Sequence, residues 1–144
     1  MPTPFYLPLH RRTVTVASRI MLPTYVGLFT LIGLAYLFQP AARVQASPAL
    51  AFADRLIPMP VWGGIFLTTA GLLSAAMLVA HRRRWTRVLA GYALWVGVVV
   101  LTTWAGIFTG AVITAGASLG SPVWPAFAAI ACFASSRSLA AGER

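Results

Sequence analysis

The side chains able to do chemistry are few. His10 and His81 are the only imidazoles, Cys132 is the only thiol, and Asp54 and Glu143 are the only carboxylates in 144 residues. Nucleophilic catalysis needs a hydroxyl or thiol beside a base that a third group orients. Neither histidine has a nearby serine and acid to build that arrangement, and both stand beside arginines at the edges of apolar runs. A zinc site draws its ligands from Cys, His and carboxylates, and a lone Cys with two His far apart in sequence leaves such a site short. Haem ligation by His81 competes with the plain reading of a histidine in an interfacial loop. Gly63-Gly64 lacks the Lys and Ser or Thr of a phosphate-binding loop. The expectation is a protein that is not an enzyme and holds no cofactor and no metal.

The elements that would have to position any such groups are long and oily. Hydrophobic residues make up 59% of the chain and charged residues 9%, with a formal charge of +9 carried entirely by arginine. A soluble domain usually has about 25% charged residues, so the composition is that of an integral membrane protein. A basic chain can also signal nucleic acid. Here the arginines occupy short gaps between apolar runs, which leaves no basic face to lie along a duplex, and no nucleic-acid partner is expected.

The first apolar run spans residues 20–38. With Arg11, Arg12 and Arg19 before it and Val44-Gln45-Ala46 after it, it imitates a secretory signal. Its 19 residues exceed a signal core and match the ~20 needed to cross a bilayer. Residues 39–60 hold four prolines. Within them Ser47 and Pro48 form an N-cap and first-turn pair, and Leu50, Ala53 and Ile57 share a helical face away from Asp54 and Arg55. Two readings stand for this stretch: a short amphipathic helix at the membrane surface, or a plain cap over the bundle.

Residues 61–80 carry no charge and lie between Trp62 and the cluster of Arg82, Arg83, Arg84 and Trp85, so both interfaces are marked. Residues 88–114 form a longer run that a tilted helix accommodates, and Gly116 to Pro122 breaks it. The last run, residues 123–136, covers only ~21 Å at 1.5 Å per residue. It becomes a full span, residues 121–136, if Ser121 caps it and Arg137 snorkels. Four crossings with both termini inside put nine arginines on the cytoplasmic side against Arg43 and Arg55 outside; three crossings give seven against four. Cytoplasmic arginine is the rule. The expected fold is therefore all-α, an integral membrane bundle of four transmembrane helices, N-in and C-in. It has a short interfacial helix in the first extracytoplasmic loop and constitutes one domain over residues 1–144, in a bacterial cytoplasmic membrane.

Between helices in lipid, small residues permit close approach. Gly64, Thr68, Gly71 and Ala75 recur on one stripe of the second span, and Thr103, Gly106 and Gly110 on one stripe of the third. These are the expected helix-packing residues, facing protein and each other. Trp95 and Trp104, nine residues apart, are expected on similar faces as anchors or packing groups. Pro125 is expected in an early, tolerant turn, as is Pro23 in the first span. Arg82, Arg83, Arg84 and Arg87 are candidate contacts for anionic lipid headgroups, or serve only as the orientation signal.

No Asp, Glu, Lys, Arg or His lies within the four runs. Intramembrane ionisable groups mark proton relays and ion pathways, so a proton-coupled transporter, a pump or a charge-selective single-chain channel is disfavoured. The hydroxyls that remain, Thr30, Thr68, Thr69, Ser74, Thr102, Thr103 and Thr109, are expected to bond their own helix backbones.

The succession of Pro58-Met59-Pro60-Val61-Trp62-Gly63, a helix, an arginine turn, a Gly- and Trp-bearing helix and a final helix opened by Ser121-Pro122 resembles the small, holin-like four-helix membrane proteins of actinobacterial phages. The resemblance covers about residues 56 to 137 and carries no catalytic residues. Exclusive use of arginine with abundant Ala, Gly, Val and Pro suits a high-GC genome of that kind. Three functions follow as expectations: a structural or accessory subunit of a membrane assembly, a holin-like permeabilising homo-oligomer, or a carrier of small molecules or lipids. The expected partners are membrane lipids and either further copies of the chain or other membrane subunits.

Overall fold

The computed structural model describes residues 20–80 and 85–141, all of whose regular structure is helical. Six helices follow in order: α1 (Leu22–Leu37), α2 (Ala41–Ala46), α3 (Pro48–Leu56), α4 (Met59–Ala80), α5 (Trp85–Ala115) and α6 (Gly120–Ala141). Helices α1, α4, α5 and α6 are the long members. In space α1 packs along α4, α4 along α5, and α5 along α6, while α3 lies against α5. A hydrogen bond from α1 to α6, between the Tyr25 hydroxyl and Ser135 Oγ at 3.3 Å, links the first long helix to the last.

Among the described residues, length and hydropathy single out two helices as able to cross a membrane, Met59–Leu78 with 20 residues and Gly91–Ala115 with 25. Helix α1 is apolar but has 16 residues. Helix α6 is longer than its apolar run: its 22 residues continue through Arg137 to Ala141, which corresponds to roughly 33 Å. Because α6 already begins at Gly120, Pro125 sits in its second turn, not the first. It withholds the N–H that would meet the Ser121 carbonyl.

Local sequence explains the helix ends. Ser47 is extended and Pro48 opens α3, as a residue with fixed φ and no N–H should. At the start of α4 every orphan donor is accounted for. The Met59 N–H donates to Asp54 Oδ1 at 2.8 Å, Pro60 has none to offer, and Val61 and Trp62 both donate to the Pro58 carbonyl. Asp54, exposed on α3, thus caps the next helix. Asp54→Ala should cost about 1 kcal/mol in reversible detergent unfolding of the full chain. Asp54→Asn should keep most of that stability, because the amide oxygen still accepts the bond. At the other end of the bundle's connections Gly116 adopts φ 66°, and the Ala117 N–H returns to the Ala111 carbonyl at 3.2 Å, closing α5.

Residues 39–57 carry two short helices where the sequence suggested one. The face of α3 marked by periodicity is correct: Ala53 is fully buried and Leu50 and Ile57 half-buried, with Asp54 and Arg55 exposed. That face is turned inward. Val44 of α2 and Ala49 and Ala53 of α3 join the common core, and the Phe52 ring reaches within 3.4 Å of the position a Cβ would take on Gly110 of α5. The pair forms a lid over one end of the bundle, the cap reading of the two.

Candidate functional site

The centre of the bundle is aromatic. Trp104 of α5 is fully buried, with ring centroids of Trp62 at 4.4 Å, Phe108 at 4.8 Å, Tyr36 at 5.1 Å and Phe66 at 5.9 Å around it. Phe29 of α1 extends the cluster through Phe66 at 5.8 Å. Edge-to-face geometry prevails for Trp62 and Phe66 against Trp104, at interplanar angles of 61° and 88°, the arrangement that ring quadrupoles favour. The indole N–H groups of Trp62 and Trp104 are both buried; the Tyr36 side chain is the hydrogen-bonding partner beside Trp104, while the Trp62 N–H has no acceptor among the described residues. An unmet buried donor costs about 1–3 kcal/mol.

The small-residue stripes do not meet. On α4 the buried positions are Met59, Trp62, Phe66, Thr69, Leu73 and Ala76. Gly64 is half-buried, Thr68, Gly71 and Ala75 are exposed, and nothing lies within 4 Å of a Cβ built on Gly64 or Gly71. On α5 the seam runs through Leu94, Leu101, Trp104, Phe108 and Ala111. Thr103 and Gly106 face outward, and among the described residues Gly110 meets Phe52 of the lid. The reason is one of phase. The stripe 64-68-71-75 repeats the spacing of 62-66-69-73 two residues later, and 103-106-110 does the same to 101-104-108. At 100° per residue, two residues are about 200°, so each small-residue stripe lies opposite its seam.

The same arithmetic corrects the tryptophans. Nine residues are about two and a half turns, so Trp95 and Trp104 point to opposite sides. Trp104 is in the core, whereas Trp95 is 46% exposed and rests edge-on against Phe133 of α6 at 5.5 Å.

Glycine does permit one close helix crossing, at residues the sequence reading passed over. A Cβ on Gly63 of α4 would stand 2.8 Å from the Gly33 carbonyl oxygen and 2.9 Å from the Leu37 nitrogen of α1. A Cβ on Gly33 would meet Leu67 Cγ at 2.7 Å. Gly97 of α5 accommodates the Phe29 ring, whose Cζ is 3.2 Å from where its Cβ would be. The available sequence signal was Gly63 in phase with the bulky stripe instead of the small one.

The hydroxyls of Thr30, Thr68, Thr69, Ser74 and Thr109 each donate to the carbonyl four residues back, at 2.7–2.9 Å. Thr102 and Thr103 are exposed. Cys132 is fully buried on α6 near Gly97, and Ser135, one turn on, bonds the Ala131 carbonyl and Met21 Sδ besides Tyr25. No three His, Cys, Asp or Glu among the described residues are grouped to hold a metal ion. Arg82, Arg83 and Arg84 lie outside the described residues, as do His10, His81 and the side chain of Arg87.

The chain matches no family model, no curated protein and no solved structure.

Proposed function

We propose that this chain is an integral membrane protein of four spanning helices, with both termini on the arginine-rich cytoplasmic side, that acts as a structural or accessory subunit of a membrane assembly. The carrying observation is the outward placement of the small residues. Gly64, Thr68, Gly71 and Ala75 on α4, with Thr103 and Gly106 on α5, are not spent on joining the chain's own helices. In lipid such surfaces let another helix approach closely, where packing drives association. Large apolar side chains on the outside of the bundle, among them Leu31, Leu78, Ile113 and Phe127 at 68–77% exposure, suit a lipid surround. The inward hydroxyl of Thr69 is bonded to its own helix, which supports a role without transport or catalysis.

Native mass spectrometry of the gently extracted protein tests this. Foreign membrane chains in fixed stoichiometry are expected. A homo-oligomer without foreign chains, combined with collapse of membrane potential on induced expression, would replace the subunit reading with a holin-like, lesion-forming one.

A further inference from the structure

We propose that the peptide bond between Ala46 and Ser47 is a latent processing site for a secretory signal peptidase, kept closed by the docking of α2 and α3 on the bundle. The proposal rests on the placement of residues 39–57 outside the cytoplasm, which the topology proposed above contains. The chain carries the parts of a cleavable signal in the right order: Arg11, Arg12 and Arg19, an apolar helix, Pro40 to end it, and Val44 and Ala46 as the third and first residues before the bond, an A-x-A-like pair. Helix α1 has 16 residues, between the roughly 7–15 of a signal core and the roughly 17–25 of a membrane span. Its length is compatible with either fate, so packing decides. A recognition cleft that takes its peptide as an extended strand reads alternate side chains in pockets, and in a strand residues two apart point the same way. Val44 and Ala46 do not. Ala41–Ala46 is helical, with the Val44 N–H on the Pro40 carbonyl and the Ser47 N–H on the Val44 carbonyl at 3.2 Å. Two residues in a helix are about 200° apart, and accordingly Val44 is buried in the common core while Ala46 is exposed. Ser47 alone, at φ -109° and ψ 115°, already has strand geometry. Presenting the bond requires α2 to unwind and Val44 to withdraw. That is opposed through α3, by buried Ala53, by Phe52 against Gly110 and by Asp54 on the Met59 N–H. Cleavage would leave α1 attached by packing alone, at Gly33 against Gly63 and through the rings of Phe29 and Tyr36 on Phe66.

The test opens the lid without touching residues 44–47. Ala53→Asp puts a charge at a fully buried position, and Gly110→Leu drives side-chain atoms into the Phe52 ring, which is 3.4 Å from the Cβ position. Full chains, wild type and each variant, are incubated in detergent with purified bacterial signal peptidase, and the products are read by intact mass. Wild type should stay whole, and both variants should give a fragment beginning at Ser47 as the major species. Adding Ala46→Leu, at an exposed position, should abolish that fragment, because a small residue is required before the bond. Wild type cleaved as fast as the variants overturns the closed state. Variants that stay whole, or a fragment that persists with Ala46→Leu, overturn the site. A variant that fails to fold presents the same bond unshielded, so its resistance counts equally against the proposal. Pulse labelling in cells tests the topology separately: variants cleaved in detergent but not in cells leave the latent site standing and overturn the extracytoplasmic placement of residues 39–57.

Discussion

Gly63→Ala should destabilise the fold by about 1–3 kcal/mol, the range for forcing volume into a packed contact, whereas Gly64→Ala, one residue away, should be neutral or stabilising by up to ~1 kcal/mol. The contrast follows from what an added methyl meets. At Gly63 it meets the backbone of α1, the Gly33 oxygen at 2.8 Å and the Leu37 nitrogen at 2.9 Å. Backbone atoms within a helix cannot swing aside as the tip of a flexible side chain can, so the helices themselves must separate. At Gly64 there is nothing within 4 Å, and the methyl only removes the conformational freedom that glycine adds to the unfolded chain. Reversible unfolding in mixed micelles, followed by circular dichroism, gives both values. Equal effects of the two substitutions would mean that α1 and α4 do not cross at Gly33 and Gly63.

Trp104→Ala should cost about 3 kcal/mol or more, while Trp95→Ala should cost under about 1 kcal/mol. Trp104 is fully enclosed and touches Tyr36, Trp62, Phe66 and Phe108, so its removal empties the junction of α1, α4 and α5. The low end of the aromatic-to-alanine range is the apt one for the membrane bundle proposed above. There the hydrophobic driving force between helices is absent, and the loss is one of packing contacts and ring geometry. Trp95 is nearly half exposed and, among the described residues, makes its ring contact with Phe133. Thermal unfolding in detergent, with near-ultraviolet circular dichroism to report the aromatic core, separates the two variants. A Trp104→Ala protein as stable as Trp95→Ala would remove Trp104 from the centre of the bundle.

These two pairs also mark where sequence reasoning stopped. Gly63 and Gly64 are neighbours of one residue type, and Trp95 and Trp104 share a helix. What separates them is azimuth. A helix that is polar on one side declares its inward face. Helices α4 and α5 are apolar all round, so the stripe through residues 62, 66, 69 and 73 and the stripe through 64, 68, 71 and 75 have the same spacing and no polarity to rank them. Preferring the small residues chose the wrong phase. The bundle interior has volume to fill, and aromatic side chains fill it; small residues serve only at the point of closest approach, which here is Gly33 against Gly63. The apolar face of α3 was legible by contrast, because Asp54 and Arg55 break its symmetry and leave Leu50, Ala53 and Ile57 together; that this face turns onto the bundle instead of into a membrane interface came only from its packing.

By itself the sequence determined the all-helical class, the placement of the long apolar helices to within a few residues at most ends, and the turns between them. These properties rest on near-neighbour chemistry: runs free of charge, Pro48 at a helix entry, Pro58 and Pro60 ending the short helix, and the break from Gly116 to Pro122. It also determined that the hydroxyls of Thr30, Thr68, Thr69, Ser74 and Thr109 would be satisfied locally, since a carbonyl four residues back is always within reach. The tertiary structure alone decided which face of each helix is buried, that Asp54 caps α4, that α6 extends through Arg137, and that Trp104 stands at the centre of the aromatic cluster. Each of these depends on which helix stands beside which, and a chain whose helices are oily on every side contains almost no local energy difference to record it.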